Sequence, residues 1–411
     1  MEKYQLYFFL IISIVVLDFI WTQYLAYRNR KRMSPDIPVQ LEGIYNKEEY
    51  TKQQEYQKTN SRFGLYSGLF SFAVLIGVLL SGTFGWLDSY LRLYFDNEIL
   101  LTLAFFGVIY IIMTIISIPF DYYSTFVIEE KFGFNKSTKK TFWFDQIKGL
   151  LLTGIIGGGV LALIVWFYNS LGEWAWLYAW GIVVVFSLFM TLFYSNIIVP
   201  LFNKQTPLEE GELRTEIESF AKQAGFGINN IYVMDASKRS SKANAYFTGF
   251  GAKKRIVLFD TLINDLSTKE IVAVLAHEIG HYKKKHTISN MCISFVYTGV
   301  IMYLLSLFLG NPDISKSLGG ELPSFHIGLI AFSMLFTPIS VILGIFTNIL
   351  SRKHEYEADA YAANYGLADS LIGGLKKLSV KSLSNLNPDS WNVFLYYSHP
   401  TLLQRIKALK K

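Results

Sequence analysis

Two histidines and one glutamate in the second half of the chain have the types and the spacing of a catalytic metal site. His277 and His281 stand four residues apart and Glu278 follows the first of them, which gives an H-E-x-x-H motif. On a helix, residues four apart differ by about 40° in azimuth, so both imidazoles project from one face. Neutral imidazoles bind Zn²⁺ at about 2.0–2.1 Å, and the adjacent glutamate can take a proton from a bound water. The motif therefore predicts zinc-assisted hydrolysis, and the competing interpretation is a helix with two surface histidines and a salt-bridging glutamate.

A third ligand is expected in residues 351–360, because a catalytic zinc commonly binds three protein side chains and leaves one position for water. Glu355 completes a His₂Glu set, and Asp359, one helical turn later, could orient a ligand histidine through its other ring nitrogen. Glu357 points about 200° away from Glu355 on a helix and is less suited. Spacing alone leaves His354 open as an alternative third ligand.

The elements that must position these ligands are helical. Ser267 and Glu270 fit a capping box that begins the motif helix. We expect this helix to continue through the three lysines at 283–285 into an apolar segment. We then expect His286 to be a partly exposed neighbour of the metal site and not a ligand, because its i+5 offset from His281 does not suit the same metal. The extended motif H-E-x-x-H-x-x-G-x-x-H is excluded, since Thr287 stands where that motif needs histidine.

From residue 202 the sequence has the character of a soluble domain. Residues 212–224 predict an amphipathic helix, and three β-like runs at 231–234, 245–250 and 255–259 predict a small sheet beside the motif helix. An edge strand of such a sheet can bind a peptide through main-chain hydrogen bonds. Asn244, Ala245 and Tyr246 are our candidates for that strand, although ordinary sheet structure explains the run equally well.

Two polar residues near the carboxyl terminus are further candidates. His399 and Arg405 are donors that could stabilise a tetrahedral oxyanion. Without a family to compare, the simpler interpretation is a tail helix that begins after His399 and Pro400.

The composition is that of a membrane protein. Apolar residues make up 52% of the chain and charged residues only 17%, against about 25% in soluble domains. Seven apolar stretches approach or exceed the roughly 20 residues that span a bilayer. They lie at 6–27, 63–86, 99–122, 149–168, 174–199, 288–309 and 327–350. The first is too long for a signal peptide and lacks a cleavage site, so we expect it to remain as a helix.

Basic residues predict the orientation of these spans. Segments 28–62, 131–148, 202–287 and 351–411 hold 35 of the 38 Lys and Arg residues, and the other side keeps only Lys3, Arg92 and Lys316. Positive loops stay in the cytoplasm, so the amino terminus is expected outside and the carboxyl terminus and the zinc motif inside. The net charge of +6 then reflects topology and does not indicate nucleic-acid binding.

Six sequence blocks together resemble the type I CAAX prenyl protease family of integral-membrane zinc metalloendopeptidases. They occur in the family's order and cover nearly the whole chain: EEKFGFN at 129–135, NAYFTGF at 244–250, KRIVLFDT at 254–261, VLAHEIGH at 274–281, SRKHEYEADAYA at 351–362 and SHPTLLQR at 398–405. The resemblance implies a mainly α, seven-span protein with a small cytoplasmic α+β gluzincin-like domain and a hydrated chamber between the helices. We divide the chain into residues 1–200, with spans 1–5, residues 201–287, with the metalloprotease core, residues 288–350, with spans 6 and 7, and residues 351–411, with the third ligand and the tail.

The resemblance also implies roles for individual residues. It makes one Zn²⁺ per chain the cofactor, with His277, His281 and Glu355 as ligands and Glu278 as general base. Asp359 matches an aspartate with a supporting or proton-donating role, and Asn244 matches a substrate-contacting residue. His399 and Arg405 match polar groups near the metal.

The motif predicts a zinc endopeptidase, and the resemblance implies that it removes the last three residues of prenylated C-a-a-X proteins. We expect it to be a monomer in a bacterial inner membrane or the endoplasmic reticulum. Its partners would be a peptide or prenylated protein and membrane lipid, with no nucleic acid. One alternative is a broader quality-control metalloprotease without a prenyl requirement. A site-2-type intramembrane protease fits less well, because charged residues surround the motif. A transporter or receptor with structural zinc would need a closed site with four ligands.

Overall fold

The computed structural model describes residues 2–227, 230–249 and 254–411, and the chain is mainly helical. Its first part consists of helices separated by short connections. Two π-helical segments interrupt them, Ser124–Glu129 after α4 and Thr153–Gly157 between α5 and α6. The helices are α1 (Lys3–Lys31), α2 (Lys47–Leu80), α3 (Thr83–Leu91), α4 (Glu98–Tyr123), α5 (Lys139–Leu152), α6 (Gly158–Ser170) and α7 (Ala175–Ile197).

The second part contains the sheet and the remaining helices. The sheet region comprises β1 (Gln205–Pro207), α8 (Glu212–Gln223), β2 (Ile231–Met234), β3 (Ala245–Thr248), β4 (Arg255–Phe259), α9 (Asp260–Asp265) and α10 (Thr268–Lys283). The chain then continues through α11 (His286–Phe308), α12 (Pro312–Ser317), α13 (Phe325–Asn364), α14 (Ala368–Lys381), α15 (Ser390–Tyr396) and α16 (Leu402–Leu409).

The seven predicted spans are confirmed as helices. Within the described residues, seven helical segments are long and apolar enough to cross a membrane. The second span ends earlier than predicted, at Leu80 rather than at residue 86, because the backbone of Gly82 turns into the left-handed region (φ 65°) before α3 begins. Helix α13 extends past the predicted end of span seven to Asn364, so the third-ligand segment lies on the span itself.

The spanning helices bury few of their side chains. Only 6–17% of the residues in each apolar window are buried. The exposed side chains include those that would face lipid. The hydrated chamber itself stays a prediction.

Helix α13 links two polar clusters about one membrane thickness apart. At its start, His326 is fully buried and its Nε2 lies 2.7 Å from Asp88 Oδ1, while Arg92 donates to Asp88 at 3.0 Å and to Ser324 at 2.9 Å. Glu355 lies 29 residues later, which corresponds to about 43 Å along the helix. A bilayer with its headgroups is about 40–45 Å thick, so this spacing supports placing the two clusters on opposite sides.

The sheet has four strands in the order β1-β2-β4-β3. Strand β3 is an edge strand, paired antiparallel with β4 in the register Ala245↔Leu258, and β2 pairs parallel with β4. Strand β1 was not predicted, because three residues that end in proline carry no β pattern. Strand β3 ends at Thr248 before Gly249, whose φ is 85°, and Phe250 of the predicted strand lies outside the described residues.

Helix α10 begins as predicted but ends earlier. Both bonds of the capping box form: Ser267 N donates to Glu270 Oε2 at 2.8 Å, and Glu270 N donates to Ser267 Oγ at 3.4 Å. The prediction that this helix continues into span six is wrong. It ends at Lys283, and Lys285 adopts a left-handed conformation (φ 60°) before α11 starts at His286.

A glycine sets the distance between α10 and α13. A Cβ atom added to Gly280 would lie 3.1 Å from Ala358 Cα and 3.0 Å from Tyr361 Cβ. The two backbones therefore approach so closely that a side chain at this position would push α13 away by a few tenths of an ångström. This contact brings the two motif histidines on α10 beside the acidic residues of α13.

Candidate metal centre

Three predicted ligands converge between α10 and α13. His277, His281 and Glu355 each offer one ligand atom within 4.8 Å of the others. The two Nε2 atoms are 3.1 Å apart, His281 Nε2 lies 3.3 Å from Glu355 Oε1, and His277 Nε2 lies 3.5 Å from Glu355 Oε2. Ligands bonded to a tetrahedral ion at about 2.0–2.1 Å would lie about 3.3 Å from one another. The observed spacing therefore fits a single metal ion.

The carboxylate of Glu355 also has the character of a ligand. Its side chain is only 5% exposed, and Oε2 has no hydrogen-bond partner among the described residues. A buried carboxylate oxygen without a partner is costly, and a bound cation would remove that cost. Arg405 Nη1, at 3.4 Å, gives it a nearby positive charge only.

Asp359 holds His277 from the side opposite the other ligands. Its Oδ1 lies 2.9 Å from His277 Nδ1, and Arg405 binds the same carboxylate twice, through Nη2 at 2.6 Å and Nε at 2.9 Å. Burial alone would lower the pKa of Arg405, but the hydrogen bonds and the charge of Asp359 outweigh it and raise that pKa above its ordinary value. Arg405 is therefore a permanent cation bound to Asp359 through Nε and Nη2, and its role as an oxyanion donor stays a prediction.

Glu278 and His399 share one cavity with the ligands. This cavity has a volume of about 260 Å³, and both side chains line it together with Arg405. Glu278 is half-buried, and His399, with 64% of its side chain exposed, places Nε2 3.3 Å from Glu355 Oε1. A carboxylate and an imidazole thus line the same cavity as the three predicted ligands. The tail helix α16 begins two residues after Pro400, as the sequence predicted.

The three candidates on the edge strand divide between two places. Asn244 and Ala245 line the cavity. The Tyr246 hydroxyl lies instead 3.3 Å from Ser195 Oγ and 3.3 Å from Gln205 Nε2, away from the metal group. Burial raises the pKa of Tyr246, so its hydroxyl stays protonated in this contact. Its side chain therefore anchors the strand to α7 and β1.

The EEKFGFN block contacts the segment that leads into β3. Glu129 accepts a hydrogen bond from Lys242 Nζ at 2.8 Å and one from Tyr56 at 2.6 Å, and the N–H of Lys136, the residue after the block, donates to Arg239 O. Lys242 lies two residues before Asn244, so this ion pair fixes where the edge strand begins. Sequence reasoning gave the block no role, because the contact joins segments more than 100 residues apart.

The alternative ligand His354 lies outside the metal group. It is buried, its ring stacks on His286 at 4.0 Å, and its Nδ1 has no partner among the described residues. The expectation that His286 is partly exposed is wrong, because only 3% of it is exposed. Its Nδ1 lies 3.0 Å from His281 Nδ1, a contact that no local pattern in the sequence indicates.

Seven apolar spans, together with a His₂Glu group beside a glutamate, define the class of this protein as a multi-pass integral-membrane metalloprotease. The chain belongs to peptidase family M48, whose model matches residues 207–411, while a model described as CAAX prenyl protease N-terminal, five membrane helices, matches residues 26–204. The resemblance drawn from the sequence blocks is thereby confirmed.

Relatives align with this chain over nearly their full length. A CAAX prenyl protease 1 homolog of Oryza sativa subsp. japonica is 38% identical over 97% of this chain and 96% of its own. CAAX prenyl protease 1 of Saccharomyces cerevisiae is 37% identical over 96% of this chain and 93% of its own. The crystal structure of S. mikatae Ste24p superposes with a TM-score of 0.93 at 35% identity and covers 98% of this chain and 99% of that one. The expected fold class is confirmed.

Proposed function

We propose that this protein is a zinc-dependent endopeptidase that removes C-terminal tripeptides from prenylated C-a-a-X proteins or peptides. The observation that carries the proposal is the spacing of 3.1–3.5 Å between ligand atoms of His277, His281 and Glu355. A His₂Glu set is a standard set for a catalytic zinc, which keeps one position for water. The prenylated substrate is supported by the names of the relatives, and the orientation of the basic loops supports cleavage on the cytoplasmic side.

The metal supplies one part of the chemistry. When bound, zinc activates water and polarises the scissile carbonyl. His277, His281 and Glu355 would hold it. The buried Glu355 oxygen has no hydrogen-bond partner among the described residues, and a bound cation would remove the cost of burying it. The remaining steps belong to protein side chains.

Glu278 acts as the general base. Its carboxylate lines the same cavity as the ligands, within reach of a water and of the bound peptide. It accepts a proton from the attacking water and delivers it to the leaving amine, so that the hydroxyl joins the carbonyl carbon and the peptide bond breaks. His399, which lines the cavity and is largely exposed, donates a hydrogen bond to the developing oxyanion.

Asp359 and Arg405 act as positioning residues. When His277 gives its Nε2 lone pair to a metal, its proton sits on Nδ1, where it donates to Asp359. The bidentate bond from Arg405 holds that carboxylate in place and keeps it ionised. The ring of His277 is therefore fixed before substrate binds.

The substrate would lie along β3. Asn244 and Ala245 at the start of this edge strand line the cavity, so a peptide added beside the strand would bring its carbonyl to the metal. The ion pair between Lys242 and Glu129 holds this end of the strand. The division into four segments, the monomeric state and the host membrane remain predictions of the sequence.

The test uses detergent-purified protein and paired peptides that differ only in the prenyl group. We expect chelator-sensitive release of the last three residues, with the prenylated peptide preferred, and we expect release by Glu278→Gln to be about 10²–10⁴-fold slower. Equal cleavage of both peptides would make the protein a broad membrane peptidase. Cleavage that resists chelators, or a zinc-loaded protein that cuts neither peptide, would contradict the proposal.

A further inference from the structure

We propose that His286 and Glu357 form a second positioning chain, which fixes the ring of His281 as Asp359 and Arg405 fix that of His277. The inference deepens the proposed function and rests on His281 being a metal ligand. Helical spacing had indicated that neither His286 nor Glu357 is suited to bind the metal. Neither residue is in the metal group itself.

Two contacts at hydrogen-bond distance connect the ligand His281 through His286 to the partly exposed Glu357. His281 Nδ1 lies 3.0 Å from His286 Nδ1, and His286 Nε2 lies 2.9 Å from Glu357 Oε2. His286 is 3% exposed, whereas 38% of the Glu357 side chain is exposed. Both ring nitrogens of His286 therefore have a partner at hydrogen-bond distance, one on each side.

Metal binding by His281 determines where the ring protons of His281 and His286 sit. With the Nε2 lone pair of His281 directed to the metal, the proton of that ring sits on Nδ1. This N–H can only donate to His286 Nδ1, which must then be the unprotonated nitrogen of its ring. The remaining proton of His286 sits on Nε2, where it donates to Glu357. Each group thus selects the tautomer of the next.

The break between α10 and α11 is what makes the contact possible. On one continuous helix, residues five apart differ by about 140° in azimuth, so His286 would point away from His281. The left-handed backbone of Lys285 interrupts the helix and turns His286 back toward the metal group. Its ring is then held by stacking on His354, at a centroid distance of 4.0 Å and an angle of 11°. A non-glycine residue in this backbone region is uncommon, and the chain tolerates it here for a contact that a straight helix would lose.

The two positioning chains are built differently. Asp359 is 2% exposed and receives two bonds from a guanidinium, whereas Glu357 reaches His281 through a second imidazole and has Lys353 at 3.8 Å. We therefore expect loss of the His286 chain to weaken metal binding with little effect on the ion pair beside His277.

The test measures zinc affinity by chelator competition on the full-length, detergent-purified protein, with bound zinc quantified directly. His286→Leu should lower zinc affinity about 10–100-fold, as loss of an outer-shell partner does in other zinc sites. His286→Asn should recover most of that affinity, because its amide oxygen can accept near the position of Nδ1. Glu357→Ala should also weaken binding, and the double variant His286→Leu/Glu357→Ala should be no worse than His286→Leu alone, since Glu357 acts only through His286. Lys284→Ala, an exposed lysine close to His286 in the sequence, is the matched control and should bind zinc as the wild type does.

Three results would overturn the inference: wild-type zinc affinity in His286→Leu, no recovery in His286→Asn, or losses that multiply in the double variant. If His286→Leu does not fold, the test rests on Glu357→Ala, which changes a partly exposed side chain. Wild-type zinc affinity in Glu357→Ala would then contradict the inference. If the wild-type protein binds one zinc ion per chain and His286→Leu binds zinc with the same affinity, only the positioning role of His286 is contradicted, and the proposed function is not. A wild-type protein that binds no zinc would contradict the proposed function itself.

Discussion

Replacing Asp359 by asparagine should weaken the contacts that hold His277 in place, with the smallest change in side-chain shape. The carboxylate is 2% exposed and makes three close contacts, one with His277 Nδ1 and two with Arg405. Asparagine has one oxygen and no charge, so at least one of these bonds is lost. Arg405, with 11% of its side chain exposed, also loses its closest counter-charge.

The expected magnitudes follow from that burial. Removing one partner of a buried ion pair costs about 3–5 kcal/mol of stability. Glu355 Oε2 lies 3.4 Å from Arg405 Nη1 and offsets part of the lost charge, so we expect a value near the lower limit, about 3 kcal/mol. Zinc affinity should fall about 10–100-fold, because His277 loses the carboxylate that selects its tautomer.

A second variant separates these two effects. In Asp359→Asn/Arg405→Met the unpaired cation is gone, so part of the stability should return while zinc affinity stays low. Stability is followed as the thermal unfolding midpoint in detergent, without metal, and zinc affinity by chelator competition. Wild-type zinc affinity in Asp359→Asn would refute the positioning role, whatever happens to stability.

Three further predictions test other parts of the site. Glu278→Gln should keep one zinc per chain and lose activity about 10²–10⁴-fold, and a fully active variant would exclude Glu278 as the base. Gly280→Ala should destabilise the protein by about 1–3 kcal/mol despite the better helix propensity of alanine, since the new methyl would meet Ala358 Cα at 3.1 Å; an unchanged unfolding midpoint would contradict this. Burial would raise the pKa of Glu270, but Lys377 and the bonds from Ser267 outweigh it and hold that pKa below its ordinary value of 4.5. The stability from Glu270 is therefore present above pH 4.5 and is lost as the pH falls below it, so Glu270→Gln should lower the unfolding midpoint of zinc-free protein near neutral pH and converge with wild type in acid.

Local patterns in the sequence predicted much of this fold. The apolar stretches predicted seven spans because the length of a span depends only on membrane thickness. The capping box at Ser267 and the amphipathic pattern of α8 also predicted helix positions to within one residue. The need of a catalytic zinc for a third protein ligand suggested that Glu355 would join the two motif histidines, and the structure brings all three together.

What the sequence could not predict depends on contacts between distant segments. The end of α10 is one example: three lysines have no preference for a break, and the left-handed Lys285 comes just before His286, whose contact with His281 no local pattern indicates. The bond from Arg405 to Asp359 is another, because the residue type identified the guanidinium as a donor and could not show which acceptor it binds. The ion pair between Lys242 and Glu129 joins segments that share no local pattern.

The identity of the third ligand is the claim on which the account most depends, and the zinc content of two neighbouring variants tests it directly. Glu355 belongs to the metal group, while His354, one residue earlier, stacks on His286 outside it. Purified Glu355→Ala should lose most of its zinc, and His354→Ala should retain about one ion per chain. Full zinc in Glu355→Ala together with loss of zinc in His354→Ala would contradict the assignment of the metal site.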